Sequence, residues 1–229
     1  MANRHSTVVH AYAQGLASPL PLRIYPTGLA MSPSPAALAP ALRRGHSLPV
    51  KRVAILGPGG AGKSRLAVEL GAAIETKVIY LDRLFWKPGW VPRPKEEWDA
   101  MQRRERAGDS WIVEGLTEGA MDPWLDEADT VLFLDTPPLI CIWRVTRRRL
   151  NAEAGVGMPL GCEPAPFYRA FLKFVRRLLQ FQRTTRPAIQ ADLARRANSQ
   201  RIVVLRNERE SREFLKNARS HGQSDGRRT

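Results

Sequence analysis

No acidic residue occurs in this chain before Glu69. The opening stretch, residues 1 to about 50, is rich in Ala, Pro and Ser and shows no apolar period. It carries Pro19, Pro21, Pro26, Pro33, Pro35, Pro40 and Pro49. Acid-poor, Arg- and Ser-containing N-termini resemble organelle transit peptides, but the prolines prevent a sustained amphipathic helix. The segment is therefore expected to be a disordered extension, or the product of a start codon assigned too far upstream. Histidine is equally scarce where it would matter. His5, His10, His46 and His221 all lie in the polar, aperiodic ends, which excludes a His-based nucleophilic triad. Only Cys141 and Cys162 represent cysteine, with no second Cys or His at zinc spacing. A disulfide framework and a thiolate metal site are excluded, and two reduced thiols suit a cytoplasmic protein. No apolar run reaches the roughly 18 residues a membrane span needs. The longest, Thr130 to Val145, is broken by Asp135, Pro137 and Pro138.

A 43 % apolar fraction over 229 residues supplies the core of one α/β domain. The most informative stretch is Gly57-Pro58-Gly59-Gly60-Ala61-Gly62-Lys63-Ser64, which fits the phosphate-loop template G-x-x-x-x-G-K-[ST]. Arg52 to Leu56 before it is short, β-branched and apolar, as a buried parallel strand should be. Lys63 to Ile74 after it places Leu66, Leu70, Ala73 and Ile74 on one helical face. Glycines let successive N–H groups turn inward around a phosphate, and the helix N-terminus adds positive potential. Gly57, Gly59, Gly60, Ala61, Gly62, Lys63, Ser64 and Arg65 are the candidate nucleotide-binding residues. Lys63 reaches the β- and γ-phosphates of ATP, and the Ser64 hydroxyl is a ligand for Mg²⁺. The alternative, a glycine turn that happens to precede Lys-Ser, lacks a reason for the flanking strand and helix.

Strands are expected at Val53–Gly57, Lys77–Asp82, Trp111–Gly115, Thr130–Asp135 and Arg201–Arg206. Helices are expected at Lys63–Ile74, Lys95–Ala107, Leu139–Ala152, Phe167–Gln182, Pro187–Ala197 and Glu208–Asn217. This alternation implies right-handed crossovers and a parallel sheet covered on both faces. The folded domain is then 51–216, followed by a loose polar tail, 217–229.

Ligands of such sheets sit beyond the carboxyl ends of the strands, and three expected strands end in an acid. Glu114 is the candidate Mg²⁺ carboxylate. Asp82, followed by Phe85, Trp86 and Trp90, is the candidate to orient or deprotonate an acceptor hydroxyl. Asp135 is the third, and a helix cap or a solvated turn is the alternative for each. Trp86-Lys87-Pro88-Gly89-Trp90 reads as a tight turn, either a substrate wall or a surface loop covering the core. Arg144, Arg147 and Arg148 share one helical face and lead into the Gly- and Pro-rich stretch 153–166, the makings of a closing lid. Arg144 and Arg148 are the candidate clamps on the transferring phosphoryl group; a solvated basic face is the alternative. The net charge of +14 allows a nucleic-acid partner, although arginines that grip phosphorylated ligands, or an Arg-rich proteome, account for it as well.

Several segments together resemble the DNA topology modulation proteins, a branch of the adenylate-kinase-like P-loop family. They are Gly57–Ser64, Leu81-Asp-Arg-Leu-Phe-Trp-Lys-Pro-Gly-Trp90, Trp111-Ile-Val-Glu-Gly115, Val131-Leu-Phe-Leu-Asp-Thr-Pro137 and Trp143-Arg-Val-Thr-Arg-Arg-Arg-Leu150. The resemblance spans about residues 51 to 216. It implies a three-layer α/β/α fold with a five-stranded parallel sheet in the order 2-3-1-4-5 and a short Arg-rich lid. It also implies nucleotide at Lys63 and Ser64 and an acceptor facing Asp82. Where that family carries Asp-Gly-Asn-Tyr, this chain has Glu114-Gly115-Leu116-Thr117, which moves the carboxylate by a methylene and removes two polar groups. The function expected is transfer of the ATP γ-phosphate to an unidentified small molecule, a nucleotide among the candidates. The alternatives are a nucleotide-dependent DNA-associated regulator and an ATP-binding module without efficient turnover. A monomer and a homodimer are equally compatible with the sequence.

Overall fold

The computed structural model describes residues 50–115, 121–150, 160–162 and 167–225. The expectations for residues 1–49, for Leu116 and Thr117 and for most of the 153–166 stretch lie outside these residues. Strand β1 (Arg52–Leu56) leads through the phosphate loop into helix α1 (Lys63–Ala73). Then follow β2 (Val78–Tyr80), α2 (Leu81–Phe85), the short strands β3 (Trp86–Lys87) and β4 (Val91–Pro92), and α3 (Lys95–Arg106). The second half comprises β5 (Trp111–Glu114), α4 (Asp122–Glu127), β6 (Thr130–Leu134), α5 (Pro138–Leu150), α6 (Phe167–Gln180), α7 (Arg186–Arg196), β7 (Arg201–Leu205) and α8 (Glu208–Asp225).

The main sheet is parallel, with β2, β5, β1, β6 and β7 side by side. Numbered within that sheet alone, the order is 2-3-1-4-5, as the resemblance implied. Alternation along β1 divides the interior into two layers. Val53 and Ile55 face Leu66, Leu70 and Phe214 of α1 and α8. Ala54 and Leu56 face the side built from Trp98, Trp124 and Leu193 of α3, α4 and α7. Both layers are closed because a parallel sheet, flanked by crossover helices, exposes neither face. On the second side Trp111 and Trp124 are fully buried and meet edge to face, ring centroids 5.0 Å apart. The Trp124 indole N–H donates to the buried Gln102 side-chain oxygen at 3.0 Å, which satisfies the one polar atom that ring buries.

Three local expectations are corrected. Strand β2 stops at Tyr80, and Asp82 sits in the first turn of α2 rather than at a strand end. The aromatic turn opens into an antiparallel β3–β4 ladder closed by a 3₁₀ turn, with Gly89 at φ 75° supplying the reversal. The tail does not begin at Asn217: α8 runs on to Asp225, anchored by Phe214, Leu215 and Ala218 in the α1-side core. Its start is set by reciprocal capping, in which the Glu210 N–H donates to Asn207 Oδ1 at 3.0 Å and the Glu210 carboxylate accepts from the Arg206 N–H at 2.8 Å. Among the described residues, no helix is long and apolar enough to cross a membrane.

Candidate active site

The site lies where β1, β5 and β6 end and α1 begins. Gly60 shows why the loop tolerates so few side chains. Its φ is 82°, and a Cβ there would stand 2.7 Å from the Cys141 carbonyl oxygen, so α5 packs directly on the loop. Lys63 follows the loop and folds back over it, its Nζ donating to the carbonyls of Gly57 at 2.9 Å and Pro58 at 3.1 Å. Next in sequence, the Ser64 hydroxyl donates to Glu114 Oε1 at 2.8 Å. That contact joins the first turn of α1 to the end of β5, which lies between β1 and β2 in the sheet.

Glu114 is 6 % exposed, and burial pushes its carboxyl above the ordinary value. Lys63 and the Ser64 hydrogen bond oppose that rise, Asp82 adds to it and Arg83 works against it. A buried carboxylate beside a hydroxyl is a set of hard oxygen donors, sparse enough to leave positions for phosphate and water. Mg²⁺ takes that kind of site, and the residues present fit it.

Arg144 of α5 donates through Nη1 to the Ala61 carbonyl at 2.9 Å, so one of the expected clamps touches the loop crest. Its Nη2 lies 3.8 Å from Glu208, which also accepts from Arg212 at 2.8 Å and Arg65 at 3.3 Å. Arg65 is mostly exposed and pairs with Glu69 as well. Arg148 is exposed and stands at the rim of a cleft of about 620 Å³ that opens beside the loop. One wall of this cleft is Trp143, with Arg147 over its indole at 5.4 Å; the facing wall is Arg206 and Asn207. The cleft is continuous with Ala61 and Gly62, so the loop and the aromatic wall form one surface.

On the opposite side Asp82 and Arg83 are exposed at the start of α2, and Gly115 is packed so close that a Cβ would lie 3.0 Å from the Asp82 amide nitrogen. An edge-to-face chain of Trp98, Phe85, Trp86 and Trp90 forms the wall behind them, with centroids 4.8 to 5.6 Å apart. The Gly89 N–H donates to the Gly161 carbonyl at 2.9 Å, and Cys162 Sγ lies 3.5 Å from the Lys87 carbonyl. The end of the expected lid stretch thus rests on the aromatic turn.

The structure brings Lys63, Ser64, Glu114 and Arg144 around the phosphate loop and Asp82 beside Gly115 at the end of β5, while Arg65 and Arg148 border the neighbouring cleft. Asp135 does not join them as a free acid. Arg186 holds it through two parallel hydrogen bonds of 2.7 Å, a contact that joins β6 to α7. The sequence reading did not single out Trp143, Glu208 or Arg83. Trp143 alone carried a legible signal, four residues before Arg147 on the same helical face.

No protein-family model and no curated protein sequence matches the chain. Among solved structures, shikimate kinase from Bacteroides thetaiotaomicron superposes with a TM-score of 0.47 at 11 % identity, over 74 % of this chain and 97 % of that one. Shikimate kinase from Acinetobacter baumannii in complex with shikimate gives 0.46 at 15 %, over 77 % and 94 %. A gluconokinase from Sinorhizobium meliloti 1021 gives 0.43 at 14 %, over 77 % and 93 %. These superpositions are loose, and the P-loop kinase-like fold rests on the molecule's own sheet order and phosphate loop.

Proposed function

We propose that this protein is an ATP-dependent phosphotransferase acting on a small-molecule hydroxyl. The observation that carries the reading is the 2.8 Å hydrogen bond between Ser64 and buried Glu114, directly beyond the loop that Lys63 crosses. A hydroxyl and a carboxylate held together beside a phosphate loop are the protein's share of a Mg²⁺ site. When bound, Mg²⁺ supplies charge neutralisation between the β- and γ-phosphates. The loop amides bind the β-phosphate, Lys63 leaves the Gly57 and Pro58 carbonyls for phosphate oxygens, and the base stacks on Trp143 in the 620 Å³ cleft. Arg144 neutralises charge developing on the transferred group, and Arg148 closes over it with the lid. Asp82 orients the acceptor hydroxyl and takes its proton.

Calorimetric titration of the full chain with MgATP tests this. Lys63→Ala is expected to weaken binding at least about tenfold, the equivalent of 1.4 kcal/mol. Unchanged affinity would refute the nucleotide site.

A second reading, an ATP-responsive DNA-associated regulator of the topology modulation kind, is favoured by Arg148, Arg176 and Arg177. All three are exposed and make no ion pair among the described residues. It requires duplex binding that weakens steeply with salt and changes with ATP. No binding near physiological salt, with or without ATP, removes it.

A further inference from the structure

The acceptor half of the site contains three cations near the aromatic turn, and two of them are neutralised by one acid. Lys87 Nζ lies 2.7 Å from Glu97 Oε2, and Arg93 pairs with the other oxygen of the same carboxylate. Arg83 is held differently. Its guanidinium carbon lies 4.2 Å from the centroid of the Tyr80 ring, and it makes no ion pair among the described residues.

An aromatic face fixes a guanidinium through the ring quadrupole without using its in-plane N–H groups. Such an arginine is positioned and still has a full edge of donors, the arrangement that suits a carboxylate or phosphate taken two oxygens at a time. Its place in the fold puts Arg83 beside the candidate site. Tyr80 is the register partner of Glu114 across β2 and β5. Asp82, adjacent to Arg83 in the chain, lies in the first turn of α2, where a Cβ on Gly115 would stand 3.0 Å from its amide nitrogen. An anionic acceptor entering here meets two carboxylates, Asp82 and Glu114, and needs a fixed positive charge to offset them. Arg83 is the residue at hand whose donors pair with no acid among the described residues.

We infer that the acceptor carries a carboxylate or a phosphate in addition to the hydroxyl that is phosphorylated, and that Arg83, stacked on Tyr80, grips this anionic group. The inference rests on the phosphotransferase reading above and narrows its substrate class. In the step it serves, the acceptor oxygen forms a bond to the γ-phosphorus as the bond from that phosphorus to the β,γ-bridging oxygen breaks. ADP leaves with that electron pair, and the hydroxyl proton passes to Asp82.

The test uses the full chain with MgATP, measuring ADP release on paired probes. The pairs are glycerol 3-phosphate against glycerol, gluconate against glucose, and nucleoside 5′-monophosphates against their nucleosides. Turnover is expected with an anionic member only, and the pair that responds separates phosphate from carboxylate. Arg83→Met should raise KM for that probe about tenfold or more, the effect of losing a charged hydrogen-bonded contact, with ATP affinity unchanged. Arg83→Lys should fall between, since it keeps the charge and loses the fork. Equal use of a neutral member, no response to any anionic probe, or an unchanged KM in Arg83→Met overturns the inference. ATP affinity, titrated separately, tells the two claims apart. An unmodified chain that fails to bind MgATP overturns the phosphotransferase reading, whereas one that binds MgATP without an anion preference overturns only the role of Arg83.

Discussion

Glu114 is where stability and binding pull in opposite directions. Its carboxyl titrates above the ordinary value because burial disfavours the charge. With the folded value raised above the unfolded one, ionised Glu114 costs stability at pH above the raised value. That cost is relieved as pH falls through it, and has gone below the ordinary value of 4.5. Glu114→Gln keeps an acceptor for the Ser64 hydroxyl and removes the buried charge. The variant is expected to melt higher than the native protein at pH 7 to 8, with the gain shrinking as pH approaches the carboxylate range. Its MgATP affinity should fall at the same time. Thermal melts across pH, paired with titration calorimetry, check both halves. At this scale the phosphate loop was legible because spacing alone identifies Gly57, Gly62, Lys63 and Ser64. Glu114 was legible because a strand end in a parallel sheet has only one destination. Arg83 was not: its value comes from Tyr80 lying beneath it, and no periodicity in Leu81 to Trp90 announces a ring under a guanidinium.

Elements meet the site through a few joints, and the pair Asp135–Arg186 is the clearest. It ties the end of β6 to the first turn of α7, with the Asp135 side chain 7 % exposed and Arg186 34 % exposed. Removing one partner of a fully buried pair costs about 3–5 kcal/mol, because a charge is left without compensation. With Arg186 partly in water, Arg186→Met is expected to cost about 2 kcal/mol by that reasoning. In a domain of this size that lowers Tm by about 4–8 °C. A denaturant melt that places the variant within error of the native protein would show the pair to be idle. Helices and strands were largely legible in the sequence, since 3.6-residue and two-residue periods separate them. Their borders were less so. The sequence carried Val78 to Asp82 as one extended run, but the close approach of Gly115 lets α2 begin at Leu81 against β5. Likewise α8 outlasts its apolar signal because a small residue, Ala218, is enough to dock its later turns on α1.

For the molecule as a whole, strand order was legible only through the resemblance, since periodicity says nothing of which strands are neighbours. The contact between residues 160–162 and the aromatic turn joins positions far apart in sequence and had no local signal. That contact, together with the packing of α5 on the phosphate loop, turns the two cysteines into internal clocks. Cys141 is fully buried against the loop, its thiol pushed up to about 11 by burial, and Cys162 is tucked under the Lys87 carbonyl. Neither reacts from the closed molecule, since alkylation needs an accessible thiolate. Each labels at the rate at which its own contact opens, that of residues 160–162 with the aromatic turn for Cys162 and the packing of helix α5 on the phosphate loop for Cys141. A maleimide time course read by mass spectrometry should therefore show two separate phases, Cys162 first. MgATP should slow the Cys141 phase, because a loop filled with phosphate holds Arg144, and with it α5, in place.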